Sequence, residues 1–226
     1  KAFETILTHG GYCQGPETKE LDSKLAAFSK CKHCITCSSG TDSLILPLMA
    51  WDVKEGDAVF VSSFTFVASA EAPAILGATP VFVDSDPETW DMDPKDLERA
   101  IENVKKEGKL NLKAVIAVDI FGNPCDYDEI KRIAHANGMK VLSDAAQAYG
   151  SEYKGVRAGN IADMTSTSFY PTKPLACYGD GGAVFTNSDE ERDLMVSCRV
   201  HGMSPEDHYD NVRMGLNARM DSFQAA

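Results

Sequence analysis

Several absences narrow the function of this sequence before any motif is read. No apolar run approaches the length of a membrane-spanning helix, so no membrane partner is expected. No block of lysine and arginine is present: 22 basic residues face 34 acidic ones, for a formal net charge of −12. Nucleic acid is held by clustered cations, so it is not an expected partner. A small anionic ligand remains compatible with this charge where local groups suit it. No secretory signal is visible at the start, and no repeat, low-complexity tract or linker divides the chain. Without such a signal, the seven cysteines read as reduced thiols, and the cytoplasm is the expected location.

Cys31, Cys34 and Cys37 stand at C-x-x-C-x-x-C spacing, which raises a metal reading. A fourth ligand at a supporting spacing is missing. Cys34 to Cys37 also reads as a short buried strand, so small core residues are expected and no metal. The first residue is Lys1, and Ala226 lies in a helix-like stretch. Both ends are therefore expected to be cut from a longer protein.

What is present supports one domain. The 226 residues are 43% hydrophobic, enough for a sizeable core. Helical spacing appears at Glu17 to Ser29, from Gly40 to about Trp51 with a bend at Pro47, from Phe64 through Leu76, and from Asp93 through Val104. It recurs at Tyr127 to Asn137 and Asp189 to Arg199. Strands are predicted at Cys34 to Cys37, Asp57 to Ser62, Thr79 to Val83, Lys113 to Ile120, Met139 to Ser143, Met164 to Tyr170 and Ala183 to Thr186. Strands alternate with helices, and several strands are apolar throughout. That is the pattern of an α/β fold with a mostly parallel sheet covered on both faces.

Chemistry concentrates at Thr167 to Asn187. Lys173 sits there after a strand, in a loop carrying Pro171, Pro174, Gly179, Gly181 and Gly182. A lone lysine is by default a surface residue. The sharper reading is a lysine that forms a Schiff base with pyridoxal phosphate. In open α/β sheets ligands bind beyond the carboxyl ends of the strands, and further candidates lie at such ends. Gly40, Thr41 and Asp42 stand between a strand and a helix N-terminus, where free amides favour a phosphate; simple N-capping is the plainer role. Asp144 ends a strand, and there it serves as an N-cap, as a metal ligand or as the partner of a pyridinium nitrogen. Gln147 lies one helical turn on. Phe66 is either a core aromatic or a face that stacks on a flat ring. Ser168 lies five residues before Lys173, placed to donate to a phosphate.

Taken together, these motifs resemble the DegT/DnrJ/EryC1/StrS aminotransferases, the pyridoxal phosphate enzymes that make nucleotide-linked amino sugars. The resemblance covers nearly the whole chain: Gly11-Tyr12 with Gly15-Pro16-Glu17, Ser38 to Asp42, Phe64 to Ala68, Asp144 to Gln147, Ser168 to Lys173, Gly179 to Gly182, and Gly215 to Ala226. It implies the large domain of fold-type-I, aspartate aminotransferase-like enzymes across residues 1–226, with a smaller C-terminal domain beginning near or after residue 226.

By the same resemblance Lys173 is the Schiff-base lysine and proton shuttle, and Asp144 partners the pyridinium nitrogen. Gln147 approaches the ring hydroxyl side, and Phe66 stacks on the ring. Gly40, Thr41, Asp42 and Ser168 hold the phosphate. Asn217 reaches the partner's phosphate across a homodimer interface, so active sites are shared. Arg219, two residues on, is a candidate for an anionic group of the substrate or for bracing against Asp221. The implied reaction is a ping-pong transamination. Glutamate gives its amino group, leaves as 2-oxoglutarate, and a keto group on a nucleotide-linked sugar is aminated.

Many family members carry Asn after the lysine, whereas this chain has Pro174, followed by Leu175-Ala176-Cys177-Tyr178. With Arg199-x-His201-Gly202 downstream, that form resembles the branch acting on UDP-linked 3-keto N-acetylglucosaminuronic acid, for cell-surface polysaccharide. Three other readings fit the residues less well. A sugar 3-dehydratase of the family would carry histidine in place of Lys173. A non-catalytic regulator has no need of Lys173 and Asp144. Another fold-type-I enzyme, such as a desulfurase, is disfavoured by the stretch from Gly215 to Gln224.

Overall fold

Five helices in this chain start at a residue whose side chain caps them. Ser39, Asp93, Asp126, Ser188 and Asp221 each accept a backbone amide of the first helical turn. The computed structural model describes residues 1–207 and 209–226. In chain order the elements are α1 (Ala2–His9), α2 (Pro16–Ser29), β1 (His33–Cys37), α3 (Gly40–Ala50), β2 (Asp57–Ser62), α4 (Ala68–Ile75), β3 (Thr79–Val83), α5 (Pro94–Glu107) and β4 (Asn111–Val118). Then follow α6 (Tyr127–Ala136), β5 (Lys140–Asp144), β6 (Glu152–Tyr153), β7 (Val156–Arg157), β8 (Met164–Ser168), β9 (Gly182–Thr186), α7 (Asp189–Cys198) and α8 (Ser222–Ala225).

Seven strands form one sheet in the order β1-β9-β8-β5-β4-β2-β3. Strand β9 runs antiparallel to both its neighbours, and the pairings from β8 through β3 are parallel. Successive side chains of a strand point to opposite faces. Val59 and Val61 of β2 therefore meet Leu44, Leu48 and Ala72 of α3 and α4 on one face. Ala58 and Phe60 meet Leu97 and Ile101 of α5, with Ile130 of α6, on the other. All six residues of β2 are buried. Removing one large side chain such as Phe60 from water contributes about 2–3 kcal/mol. The α/β architecture matches the one expected from the sequence.

Some boundaries differ, for local reasons. Helix α4 begins at Ala68 rather than at Phe64, because Ser63 still donates its amide to Val83 O beside the sheet. Phe64, Thr65 and Phe66 are thereby left in a turn. Strand β4 lies two residues earlier than expected: Asn111 N already pairs with Gly56 O, and Asp119 N has turned to Asp144 O. Helix α3 continues through Pro47 to Ala50, with Pro47 itself buried. The sequence reading had no expectation for α1 or for the β6–β7 hairpin.

Cys34 and Cys37 are buried three residues apart in β1 and so face opposite sides of the sheet. Cys34 packs with Phe185 and Tyr149, Cys37 with Leu44 and Ile45. The Cys31 thiol donates to His33 O at 3.2 Å. Cys31 packs against the same cluster as Cys34, while Cys37 lies on the other face of the sheet.

Candidate functional site

The carboxyl ends of β2, β4, β5 and β8 surround a cavity of about 570 Å3. Ser39, Gly40, Thr41, Thr65, Phe66, Ser69, Asp144, Gln147, Ser168, Tyr170, Thr172 and Lys173 line it. One end is the N-terminus of α3. Ser39 caps this helix through a bond from Asp42 N at 3.0 Å, and Ser43 N bonds to Ser39 O. The first two amides, those of Gly40 and Thr41, have no intrahelical acceptor, as in any helix. They and the helix dipole favour an anion there. The cup is tight: a Cβ added at Gly40 would stand 2.6 Å from Ser168 Cβ. Only glycine lets the helix approach β8 this closely.

Asp144 forms the floor. It is 6% exposed, and its carboxylate accepts from Ser69 Oγ at 2.9 Å and from Ala146 N at 3.2 Å. Burial pushes its carboxyl above the ordinary range, while the Ala146 amide, the Ser69 hydroxyl and the charge of Lys173 pull the other way. Two bonds leave acceptor capacity on the carboxylate, so a positively charged or N–H donor in the cavity would be stabilised there.

Lys173 lies in the loop between β8 and β9, whose base is closed by the pairing of Ser168 with Gly182. Tyr170 O accepts from Lys173 N at 2.8 Å, and Phe169 N donates to Gly181 O at 2.8 Å. Its ammonium donates to Gln147 Oε1 at 3.1 Å, which fixes its direction. Phe66 is 70% exposed although aromatic, and one wall of the cavity is its ring. The cavity can thus hold a dianion at one end and a cation on its floor, and offer an amine beside both. These are the needs of pyridoxal phosphate, and the residues present fit it.

Of the residues singled out in the sequence, Gly40, Thr41, Phe66, Asp144, Gln147, Ser168 and Lys173 meet at this cavity. Asp42 does not. Its carboxylate accepts from Ser38 Oγ at 2.5 Å and Ser39 Oγ at 2.8 Å, and its amide is used by the cap. An acid held by these two hydroxyls serves the helix start, and Asp42, expected to hold phosphate, does not line the cavity. Asn217 and Arg219 are not among the residues lining this cavity. They belong to a segment in which Asn217 pairs with Val200, and Ala218 and Met220 are buried between them and beyond. Asp221, the bracing partner weighed for Arg219, accepts from Gln224 N as the cap of α8. Ser69, Thr65 and Tyr170 were missed. Their only sequence signal was proximity to Phe66 and Lys173, which does not say which way a hydroxyl turns.

Comparison with known proteins follows the same outline. The DegT/DnrJ/EryC1/StrS aminotransferase family model matches residues 1–226. Among curated relatives, the UDP-2-acetamido-2-deoxy-3-oxo-D-glucuronate aminotransferase of Pseudomonas aeruginosa is 45% identical over 224 residues, which is 99% of this chain and 60% of the relative. Among solved structures, a DegT DnrJ EryC1 StrS aminotransferase from Brucella abortus has a TM-score of 0.97 at 46% identity, covering 99% of this chain and 60% of the other. NtdA from Bacillus subtilis, solved with bound cofactor PMP, has a TM-score of 0.90 at 29% identity, covering 99% of this chain and 49% of the other. The chain therefore spans about half to three fifths of the length of these proteins. With the family model matched from the first residue to the last, and a relative 45% identical throughout, this chain belongs to the DegT/DnrJ/EryC1/StrS aminotransferase family.

Proposed function

We propose that the whole protein is a pyridoxal phosphate-dependent transaminase. It takes the amino group of an amino acid, glutamate in our reading, and passes it to a keto group on a nucleotide-linked sugar. The sugar we favour is UDP-2-acetamido-2-deoxy-3-oxo-glucuronate, the compound in the name of the Pseudomonas relative, and the product would feed cell-surface polysaccharide synthesis. The observation that carries this reading is the convergence of Lys173, Gln147 and Asp144 on one cavity that ends in the α3 amides.

When bound, pyridoxal phosphate supplies the electron sink that lets an amino group leave one carbon and arrive at another. The protein's residues do the rest. The amides of Gly40 and Thr41, with the Ser168 hydroxyl, would hold the phosphate. Asp144 would keep a ring nitrogen protonated. Phe66 would cover one side of the cavity and exclude water. Lys173 Nζ would hold the cofactor covalently and, when free, would move a proton. Gln147 Oε1 aims that nitrogen. Asn217 of a second copy would complete the phosphate site, which makes a homodimer in the cytoplasm the working unit.

The test uses full-length protein. Borohydride reduction and peptide mapping should place the pyridoxyl label on Lys173. A panel of UDP- and dTDP-linked keto sugars with glutamate should then show turnover, highest with the 3-keto uronate. Label on another lysine overturns the site. Label on Lys173 with no amination of any sugar in the panel overturns the substrate class and favours a regulatory member.

A further inference from the structure

We infer that Ser69 is a positioning residue that orients and stabilises the Asp144 carboxylate toward the cofactor ring, with Thr65 behind it; this rests on the cofactor reading above. Ser69 lies in the first turn of α4 and is 1% exposed. A serine there ordinarily caps its helix or bonds back to the preceding turn. Ser69 does not cap α4, and the hydrogen of its hydroxyl goes to a residue 75 positions away.

The direction of each proton follows from the chemistry. An ionised carboxylate only accepts, so Ser69 Oγ donates its one hydrogen to Asp144 Oδ2 at 2.9 Å. Thr65 Oγ1 lies 2.8 Å from Ser69 Oγ and must therefore be the donor between them. The chain runs Thr65 to Ser69 to Asp144, each bond polarising the next. Thr65 lines the cavity, so the chain starts where ligands bind and ends on the carboxylate.

Ser69 supplies what the other partners of Asp144 cannot. The Ala146 amide is main chain and binds Oδ1, so it leaves Oδ2 free to swing. The Lys173 ammonium donates to Gln147 Oε1 and makes no hydrogen bond to Asp144. Asp119, one residue beyond β4, is an acid whose own carboxyl the charge of Asp144 helps to raise, so it brings Asp144 no donor. Ser69 is the side-chain hydrogen-bond donor to Asp144 among the described residues.

The test compares Ser69→Ala, Ser69→Thr, Thr65→Val, Asp144→Asn and the Ser69→Ala/Asp144→Asn double variant in full-length protein. The readouts are the pH midpoint of the visible absorbance of bound pyridoxal phosphate and the single-turnover rate with glutamate. Ser69→Ala should keep the cofactor through Lys173 and the phosphate cup. Its absorbance midpoint should shift, and its rate should fall roughly tenfold to a hundredfold, the worth of one hydrogen bond to a charged group. Ser69→Thr should restore both, and Thr65→Val should give a smaller loss of the same kind. In the double variant, loss of Ser69 should add little to loss of the Asp144 charge. An unshifted midpoint with wild-type rate in Ser69→Ala overturns the inference, as does a full additive loss in the double variant. Wild-type protein that takes up no pyridoxal phosphate overturns the reading beneath it instead.

Discussion

Replacing Gly40 with alanine tests whether the phosphate cup depends on the closeness of α3 to β8. A Cβ there would meet Ser168 Cβ at 2.6 Å and Ser168 Oγ at 2.8 Å, inside any ordinary contact. The obstacle is space and not backbone conformation, since Gly40 is an ordinary helical residue. Rotating the serine moves Oγ but not Cβ, so the helix start must retreat from the strand. Overpacking of this kind costs about 1–3 kcal/mol. Alanine's better helix propensity returns at most about 1 kcal/mol, and less than that at a first residue. The net loss should be about 1–2 kcal/mol, a fall in melting temperature of roughly 2–8 °C for a domain of this size. The retreat also carries the Gly40 and Thr41 amides away from the phosphate, so cofactor affinity should weaken about tenfold or more, equal to about 1.4 kcal/mol. Thermal melts of apo-protein and pyridoxal phosphate titrations give the two numbers. Adding Ser168→Gly removes the atom being struck. The double variant should then be no less stable than Ser168→Gly alone. Wild-type stability and affinity in Gly40→Ala would refute the argument, and so would a double variant showing the plain sum of two losses.

Asp144→Asn should slow both half-reactions by orders of magnitude, read by single-turnover absorbance, while pyridoxal phosphate stays bound through Lys173 and the phosphate cup. Asp119, fully buried, is pushed up to about 7, chiefly by burial. The folded protein thus keeps a proton that the unfolded chain releases near pH 4, and stability should fall as pH rises from about 4 to about 7. Asn at this position mimics the protonated acid. Asp119→Asn should therefore remove up to about 3 kcal/mol of the difference in urea stability between about pH 5 and pH 8; an unchanged difference would contradict it. Arg219→Ala should impair only the sugar half-reaction if it meets a uronate, only the glutamate half-reaction if it meets the donor, and dimerisation with both if it is a brace. Mixing Lys173→Ala with Asn217→Ala subunits should restore activity where sites are shared, and verified mixed dimers without recovery would argue against sharing.

The fold was legible because its signals are local. Asp57 to Ser62 and Thr79 to Val83 are apolar runs of strand length, and both form strands with those bounds. Asp93 before Pro94 marks a helix start, and Asp93 caps α5. Strand β8 starts at Met164 as expected but ends at Ser168, two residues before Tyr170, and its Met-Thr-Ser-Thr-Ser run is buried along its length although mostly hydroxyl residues. The site was legible where motifs fix strand ends, as at Gly40, Asp144 and Lys173. It was not legible where a side chain's direction decides its role. Asp42 turns back into its own helix cap, and Ser69 turns across to a strand, though both occupy the first turn of a helix. Sequence spacing sets the turn but not the rotamer.

The antiparallel strand β9 has a consequence for how the protein is made. It sits between β8 and β1, so Cys37, Gly182 and Ser168 lie abreast at one level of the sheet. The phosphate cup and the lysine loop are thereby joined through main-chain bonds. The cup's own strand, β1, stands at the end of the strand order and pairs with β9, which is made long after it. At a synthesis rate of about 5–20 residues per second, β1 waits roughly 8–30 seconds for its neighbour. Through that interval it is an unpaired edge strand carrying two thiols that the finished fold buries. The candidate site is thus among the later parts of this domain to be assembled, and oxidation of Cys34 or Cys37 would strike the nascent chain rather than the folded one, where both are buried.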